Sequence, residues 1–196
     1  MIGKMTHIMQ LEPGEYFKGV VELKNTSDTS AVVNVYQTDY LFFADGRSIY
    51  GEPGTAPRSN ASWIRLMTDH LTIPANEKAL VVYEGGVPTD SSLSGTYWSM
   101  IMIEPTTEVW FEEVEAGDGE ARLGIQTRAR YGIQIITTVG QMGSPLLEFQ
   151  SKRLVKTGDC YLLEVDVANN GTRWIYPTSW VEIYDCLLYT SPSPRD

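Results

Sequence analysis

Two arginines stand two positions apart in the stretch GIQTRARYGIQII (residues 124–136), in a chain whose formal charge is −10. The stretch alternates apolar and polar residues, which predicts a β-strand whose successive side chains point to opposite faces. Arg128 and Arg130 would then lie on one face. A guanidinium pairs with a carboxylate in bidentate geometry, so the two arginines suggest capture of the free carboxyl terminus of a peptide.

The other face of the same strand would carry Leu123 and Ile125, which could seal a core or anchor an incoming strand. An exposed strand edge binds peptides through backbone hydrogen bonds and selects them by alternate side chains. We therefore predict a peptide-binding edge of Leu123, Ile125, Arg128 and Arg130. The alternative is a solvated outer face whose arginines protect an edge from aggregation.

The sequence holds little that could support catalysis or a metal. It has two histidines, His7 and His70, and His70 stands at a predicted strand start without a neighbouring cysteine or second histidine. It has no Gly-x-Ser-x-Gly elbow, no phosphate-binding glycine loop and no zinc spacing. We expect no enzymatic activity, no cofactor and no metal. Calcium at Asp45 and Glu52 stays an alternative, although an Asp-Gly turn explains Asp45 equally well.

Composition narrows the classes of partner. With a net charge of −10 and a pI near 4.7, the protein is poorly suited to nucleic acid, whose binding relies on cations. No apolar run approaches the roughly 20 residues of a membrane helix. The first ten residues lack the apolar core of a signal peptide. Either the protein is cytosolic or its true start is missing; the family resemblance given below implies the second, a periplasmic or extracellular protein whose signal peptide is missing from this fragment.

Short alternating segments rich in Val, Ile, Tyr, Trp and Thr predict an all-β protein. Turns rich in Gly, Pro, Asn, Asp and Ser separate them, and the turn-rich segment 51–60 is expected to cross between two sheets. The pattern predicts an antiparallel β-sandwich, and the family resemblance given below implies that this sandwich is immunoglobulin-like. The predicted strands are 16–24, 31–42, 62–67, 78–84, 96–104, 121–137, 145–150, 160–168 and 178–184.

Aromatic residues recur along these strands and leave two interpretations open. Alternating aromatics of a sandwich are usually core, and we expect Trp63 and Trp98 to fill the space between the sheets. If tyrosines and tryptophans were instead exposed on one sheet, they would suggest a platform for stacking sugars. The clustered aromatics are Tyr36, Tyr40, Phe42, Phe43, Tyr50, Tyr97 and Trp110.

Several motifs along residues 14–136 carry a resemblance to a known family. They are GE followed by VELKN, Trp63-Ile64, LTIPANEKALVVYEGGVP (71–88), SGTYWSMIMIE (94–104) and the late IQTRAR. This layout resembles the N-terminal domain of periplasmic pilus-assembly chaperones and related bacterial envelope proteins. The resemblance implies that Arg130 anchors the carboxyl terminus of a subunit. The family's second basic anchor, on its first strand, has only Lys4 as a counterpart here.

The chain is expected to contain more than one module. Residues 19–40 and 161–185 each read as a strand, an Asn-rich turn and a second strand. We predict an Ig-like domain over 1–140 and the start of a second, truncated Ig-like module over 141–185. Residues 186–196 resemble a translated sequencing adapter, with an ordinary Pro/Ser-rich tail as the alternative.

These observations predict a non-enzymatic, extracytoplasmic protein that acts in cell-envelope or surface-structure assembly or tethering. Its partner would be a protein, such as a pilus subunit or surface protein, bound by strand addition. The alternatives are a carbohydrate-binding or adhesive accessory module and a structural spacer domain.

Overall fold

The computed structural model describes residues 3–43, 45–106, 111–113, 124–126, 129–141 and 143–182; of 111–113 and 124–126 it describes the backbone. Leu123, Arg128, Trp110 and residues 186–196 lie outside this part. The strands are β1 Thr6–Leu11, β2 Tyr16–Lys24, β3 Ala31–Phe42, β4 Ser48–Gly51, β5 Ile64–Leu66, β6 His70–Ile73, β7 Lys78–Gly86, β8 Gly95–Pro105, β9 Phe111–Glu113, β10 Gly124–Gln126, β11 Tyr131–Val139, β12 Leu147–Thr157 and β13 Cys160–Asn169. The described part of the chain contains no helix with the length and hydropathy that crossing a membrane requires.

Two sheets form the body of the fold. The larger has six strands in the order β1-β11-β8-β3-β4, with β6 also paired to β3, and the smaller has the order β2-β7-β5. The pairings are antiparallel except that β1 runs parallel to β11. The segment 51–60 links β4 of the larger sheet to β5 of the smaller one, so the predicted crossing between sheets is confirmed.

The core lies between these two sheets and follows the period of two that strands impose. Odd-numbered residues of β8 and β11 face it, among them Ile101 and Ile133, which are fully buried. Val81 and Tyr83 of β7 face it from the smaller sheet. The all-β, immunoglobulin-like sandwich predicted from the sequence is therefore confirmed.

Asp39 fixes the crossing segment to the larger sheet. Its carboxylate is buried and accepts hydrogen bonds from the backbone N–H groups of Gly54 (3.0 Å), Thr55 (2.8 Å) and Ala56 (2.6 Å), and from the hydroxyl of Ser59. A turn without regular backbone pairing needs such acceptors for its N–H groups. One carboxylate thus determines how the chain passes from one sheet to the other.

A separate two-stranded hairpin, β12–β13, follows the sandwich. Its cross-strand pairs alternate between a largely apolar face and a polar face, on which Arg153 pairs with Glu164. The apolar face is exposed to solvent and carries Leu147, Phe149, Leu154, Tyr161, Leu163, Val165 and Val167. Whether this hairpin begins a second Ig-like module stays a prediction.

Four strand predictions differ from the structure. The predicted strand 145–150 covers only the beginning of β12, which runs from Leu147 to Thr157. The predicted strand 121–137 is divided into β10 and β11, because Ala129 and Arg130 lie outside any strand. Residues 178–182 are not in a strand, and 183–184 lie outside the described residues. The segment 62–67 begins with a 3-10 turn, Ala61–Trp63, and only then becomes β5. The short or terminal strands β1, β4, β6 and β9 were not predicted.

Candidate binding surfaces

The strand β11, which carries part of the predicted edge, has strand partners on both sides along one part and on one side along another. From Gln134 to Val139, β11 lies between β8 and β1, so its backbone groups are paired on both sides. From Tyr131 to Ile133 it pairs with β8 alone within the described residues. β10 likewise pairs with β9 alone there. We call the stretch from β10 to Ile133 the open edge.

The structure places two of the four predicted edge residues. Ile125 lies in β10, opposite Glu112 of β9. Arg130 lies just before β11, and its side chain is more than half exposed. Leu123 and Arg128 fall outside the described residues. The predicted peptide-binding role of all four stays a prediction.

Arg130 has an acidic partner that the sequence did not indicate. Its Nε lies 3.3 Å from Oε1 of Glu104, whose side chain is largely buried. The hydroxyl of Tyr36 donates to the other carboxylate oxygen at 3.0 Å. Burial, followed by the contact with Glu104, raises the pKa of Tyr36. An incoming carboxylate would therefore compete with Glu104 for the guanidinium.

The aromatic residues do not lie where the sequence led us to expect. Trp63 and Trp98 are half-buried and are absent from the core cluster between the sheets. Trp98 lies on the outer face of the larger sheet, where its Nε1 donates to Tyr40 O at 2.8 Å. The expectation that these tryptophans fill the inter-sheet space is therefore wrong. For Trp98 the reason is that β8 carries apolar residues on both faces, so alternation could not say which face is inward. Trp63 lies in the 3-10 turn before β5, where strand alternation does not apply.

Other aromatics lie on the same outer face of the larger sheet. Tyr40 contacts Phe42 and Tyr50, with ring centroids 5.8 Å and 5.4 Å apart. Phe42 is 63% exposed and Tyr50 is 56% exposed, so the interpretation of the clustered aromatics as core does not hold for these two rings. These rings form an exposed aromatic surface beside Trp98.

A groove opens at one end of this aromatic surface, with a cavity volume of about 390 Å³. Its floor is the outer face of β8 and β11, and one wall is the segment 169–174 that follows β13. The lining residues are Leu41, Phe42, Arg58, Thr96, Trp98, Gln134, Ile136, Asn169, Gly171, Thr172, Arg173 and Trp174. The sequence offered no signal for it, because the wall is distant in the chain from the floor. We call it the outer groove.

Backbone hydrogen bonds hold the wall of the outer groove in place. Thr96 N donates to Thr172 O at 2.9 Å, and Trp174 N donates to Thr96 Oγ1 at 3.0 Å. Gly95 permits this approach, since a Cβ at that position would lie 2.1 Å from Thr172 O. The wall and the sheet therefore form one packed unit at this end of the sandwich.

The histidines and acidic residues offer no metal centre among the described residues, where no group of three or more His, Cys, Asp or Glu side chains converges. His7 lies in β1, and its Nδ1 is 2.5 Å from the hydroxyl of the buried Tyr83. Burial lowers the pKa of His7 and raises that of Tyr83 to about 12. Asp45 accepts from the backbone and side chain of Arg47, as in a turn.

Comparison with solved structures gives distant matches to pilus-assembly chaperones. The sequence matches no protein-family model and no curated protein. The chain is 15% identical, with a TM-score of 0.50, to a chain of the CsuC–CsuE chaperone–tip adhesion subunit pre-assembly complex of Acinetobacter baumannii; the match covers 88% of this chain and 77% of that one.

Two further matches have lower TM-scores. The class 5 fimbriae chaperone CfaA is 10% identical with a TM-score of 0.47, over 88% of this chain and 67% of that one. The ASH/PapD-like domain of human CEP192 is 13% identical with a TM-score of 0.41, over 71% of this chain and 84% of that one. At such identities the likeness concerns the fold, and the chain is similar in fold to pilus-assembly chaperones, as the motifs in its sequence suggested.

Proposed function

We propose that this chain is a non-enzymatic, extracytoplasmic protein that binds a protein partner by strand addition in the assembly or tethering of a cell-envelope or surface structure. The observation that carries the proposal is the open edge. Gly124–Gln126 and Tyr131–Ile133 have a strand partner on one side only among the described residues, whereas β1 occupies the rest of β11. The open edge thus offers unpaired backbone to a partner strand, beside the part of β11 that β1 occupies.

Strand addition needs few side-chain features, because backbone N–H and C=O groups supply the affinity. The partner's alternate side chains would supply specificity by packing beside those of β10 and β11. Arg130 lies in the middle of the open edge. It could bind a terminal carboxylate once its ion pair with Glu104 is partly broken. The role of Ile125, Leu123 and Arg128 as neighbours on this edge is part of the same proposal.

The similarity in fold to a chain of the CsuC–CsuE complex supports this class of function. That complex joins a chaperone to a tip adhesion subunit. For the present chain, a protein partner and a location outside the cytoplasm are proposals that the shared fold supports.

The division of the chain into modules belongs to the same proposal. An exposed apolar face such as that of β12–β13 is typical of a sheet that packs against another. We assign residues 141–185 to the start of a second Ig-like module and treat this face as its inner side.

The open edge can be tested with synthetic peptides that alternate apolar and polar residues. We expect a peptide with a free carboxyl terminus to slow amide hydrogen exchange in β10 and at Tyr131–Ile133. A peptide of the same sequence, N-methylated at alternate positions, lacks the N–H groups that would face this edge and should not bind. Isothermal titration calorimetry would give the affinities.

Two matched variants separate the edge from general charge effects. Arg130→Gln should weaken binding of the free-carboxylate peptide but not of its amidated form. Arg65→Gln, at an arginine on the smaller sheet whose side chain is 78% exposed, should change neither. Equal binding of the N-methylated peptide, or no binding of any alternating peptide, would show that the chain is not a strand-addition protein.

A further inference from the structure

The outer groove differs in charge from the rest of the molecule. The chain has a formal charge of −10, yet among the described residues the groove is lined by two arginines, Arg58 and Arg173, and by no aspartate or glutamate. Arg173 has no ion-pair partner among the described residues. A concave site with unneutralised guanidinium groups favours an anionic ligand.

The groove offers side chains rather than backbone to a ligand. On its floor, Thr96 and Trp98 of β8 pair with β11, and their backbone N–H groups donate to Thr172 O and Arg58 O; β11 is paired on both sides beyond Ile133. In the wall, the N–H groups of Asn170, Gly171 and Thr172 are already bonded to Leu146 O, Asn169 Oδ1 and Ser144 O. These backbone donors are already bonded within the protein, which favours a ligand that is recognised by side chains.

The polar side chains of the groove are placed for hydroxyl and carboxylate groups. The side-chain amide of Gln134 has no hydrogen-bond partner in the described part of the chain. Arg58 uses Nη1 on the carbonyls of Ser94 and Thr96, and its guanidinium lies 5.0 Å from the centroid of Tyr97, which fixes its position and leaves other N–H groups free.

Two tryptophans supply the apolar part of the site. The hydrogen bond from Nε1 to Tyr40 O holds Trp98 in one orientation on the floor, and Trp174 is half-exposed in the wall. Flat aromatic rings cover the apolar faces of sugar rings, and their polar edges suit a wet site. The cavity of about 390 Å³ lies within the range of roughly 300–1,000 Å³ that is usual for small-ligand sites.

We propose that the outer groove binds an acidic oligosaccharide, with a uronic acid or a similar carboxylate-bearing sugar between Trp98 and Trp174. Arg173 and Arg58 receive the carboxylate, and Gln134 bonds to a neighbouring hydroxyl. Phe42, Tyr40 and Tyr50 continue the aromatic surface from the groove and provide room for further sugar units. This site is distinct from the open edge, since Arg130 does not line it.

The proposal is tested with a tetramer of galacturonic acid and its methyl ester, which has the same sugar rings without the charge. We expect the acid to bind, with a change in tryptophan fluorescence, and the ester to bind about tenfold more weakly, the equivalent of about 1.4 kcal/mol. Arg173→Gln should weaken binding of the acid by about the same factor and leave the ester unaffected. Trp174→Ala should weaken both ligands.

Trp180→Ala is the matched control, because Trp180 is highly exposed and does not line the groove. It should leave both affinities unchanged. Circular dichroism and thermal unfolding would show that each variant folds. Equal binding of the acid and the ester, no binding at millimolar concentration, or equal binding of a poly-glutamate peptide would overturn the assignment.

Discussion

Arg130 and Glu104 form an ion pair on the outer face of the larger sheet, with Nε 3.3 Å from Oε1, and Tyr36 donates to the second oxygen of the same carboxylate. The Glu104 side chain is 12% exposed and that of Arg130 is 58% exposed. The carboxylate is thus held in the sheet while the guanidinium reaches towards solvent. This arrangement restrains the cation that the sequence singled out for binding a terminal carboxylate.

The first prediction concerns this competition. Glu104→Gln should raise the affinity for a peptide with a free carboxyl terminus. In this variant Arg130 has no ion pair with residue 104 to lose when the peptide carboxylate binds. Since partly exposed ion pairs contribute about 0–1 kcal/mol, the gain should not exceed about fivefold. Calorimetric titration of the variant and of Arg130→Gln, which should bind more weakly than the unmodified chain, checks this. An unchanged affinity in both variants would remove Arg130 from the site.

The second prediction concerns acid stability and Asp39. Burial raises the pKa of this carboxyl, but hydrogen bonds from Ser59 and from the N–H groups of Ala56, Gly54 and Thr55 outweigh burial and hold the pKa below its usual 3.8. Its contribution to stability is therefore present above that value and is lost as the pH falls through the lower folded pKa. Denaturant unfolding as a function of pH measures the loss.

Asp39→Asn supplies the comparison. The amide has one acceptor oxygen where the carboxylate has two, so at neutral pH buried N–H groups of the crossing segment lose a partner, at a cost of about 1–3 kcal/mol. The difference in unfolding free energy between the two proteins should shrink as the pH falls towards the folded pKa. A difference that stays constant with pH would contradict the role of the ionised group.

Alternation in the sequence was sufficient for strands whose two faces differ in burial. The predicted bounds 16–24 and 31–42 coincide with β2 and β3. It was insufficient where pairing depends on distant chain: β1 joins β11 across more than a hundred residues, and residues 178–182 alternate without forming a strand. A strand needs a partner as well as a suitable pattern.

The candidate site was predicted less well than the fold, for a physical reason. Alternation showed that Arg130 could lie on an edge, but it could not show that Glu104 of another strand would pair with it. In the same way, nothing local to Trp98 shows that Arg173 and Trp174 reach it from beyond β13. Contacts between distant segments depend on sheet order, which local pattern does not encode.

The third prediction concerns His7 and the attachment of β1. Burial lowers the pKa of His7 from its usual 6.5; a backbone hydrogen bond involving Lys4 opposes this, and the nearby charge of Lys4 reinforces it. The neutral form is thus favoured in the folded protein. The associated stability is present above the usual value and is lost as the pH falls through the lower folded pKa. When the pH is lowered from neutral to mildly acidic, the melting temperature of the unmodified chain should fall more steeply than that of His7→Gln.

His70→Gln is the control for that experiment, because His70 is exposed at the start of β6 and contacts the exposed Asp69. It should retain the steep dependence of the unmodified chain. If His7→Gln also retained it, the contact between His7 and Tyr83 would not control the attachment of β1.

The fourth prediction concerns the exposed apolar face of β12–β13. Leu154 and Leu163 face each other on it and are 65% and 45% exposed. Leu163→Lys should therefore leave the unfolding free energy of the sandwich within about 0.5 kcal/mol while reducing concentration-dependent self-association, since exposed apolar patches promote association. Sedimentation velocity measures the latter. A large loss of stability would mean that this face is packed.

The fifth prediction concerns Gly95, on which the wall of the outer groove depends. Its φ of +86° is costly for an alanine, by roughly 1–2 kcal/mol, and an added Cβ would also lie 2.1 Å from Thr172 O. Gly46 has nearly the same φ, +84°, with no atom within 4 Å of an added Cβ. Gly95→Ala and Gly46→Ala thus share the backbone strain and differ in the clash.

Gly95→Ala should destabilise the chain more than Gly46→Ala does, because the clash separates Thr172 from Thr96 and breaks the hydrogen bond from Trp174 N to Thr96 Oγ1. It should also expose Trp174, which fluorescence quenching by iodide measures, and abolish binding of the acidic tetrasaccharide. Equal unfolding free energies for the two variants would show that segment 169–174 contributes little to the stability of the sandwich. The outer groove would then have a mobile wall and no fixed position for Arg173.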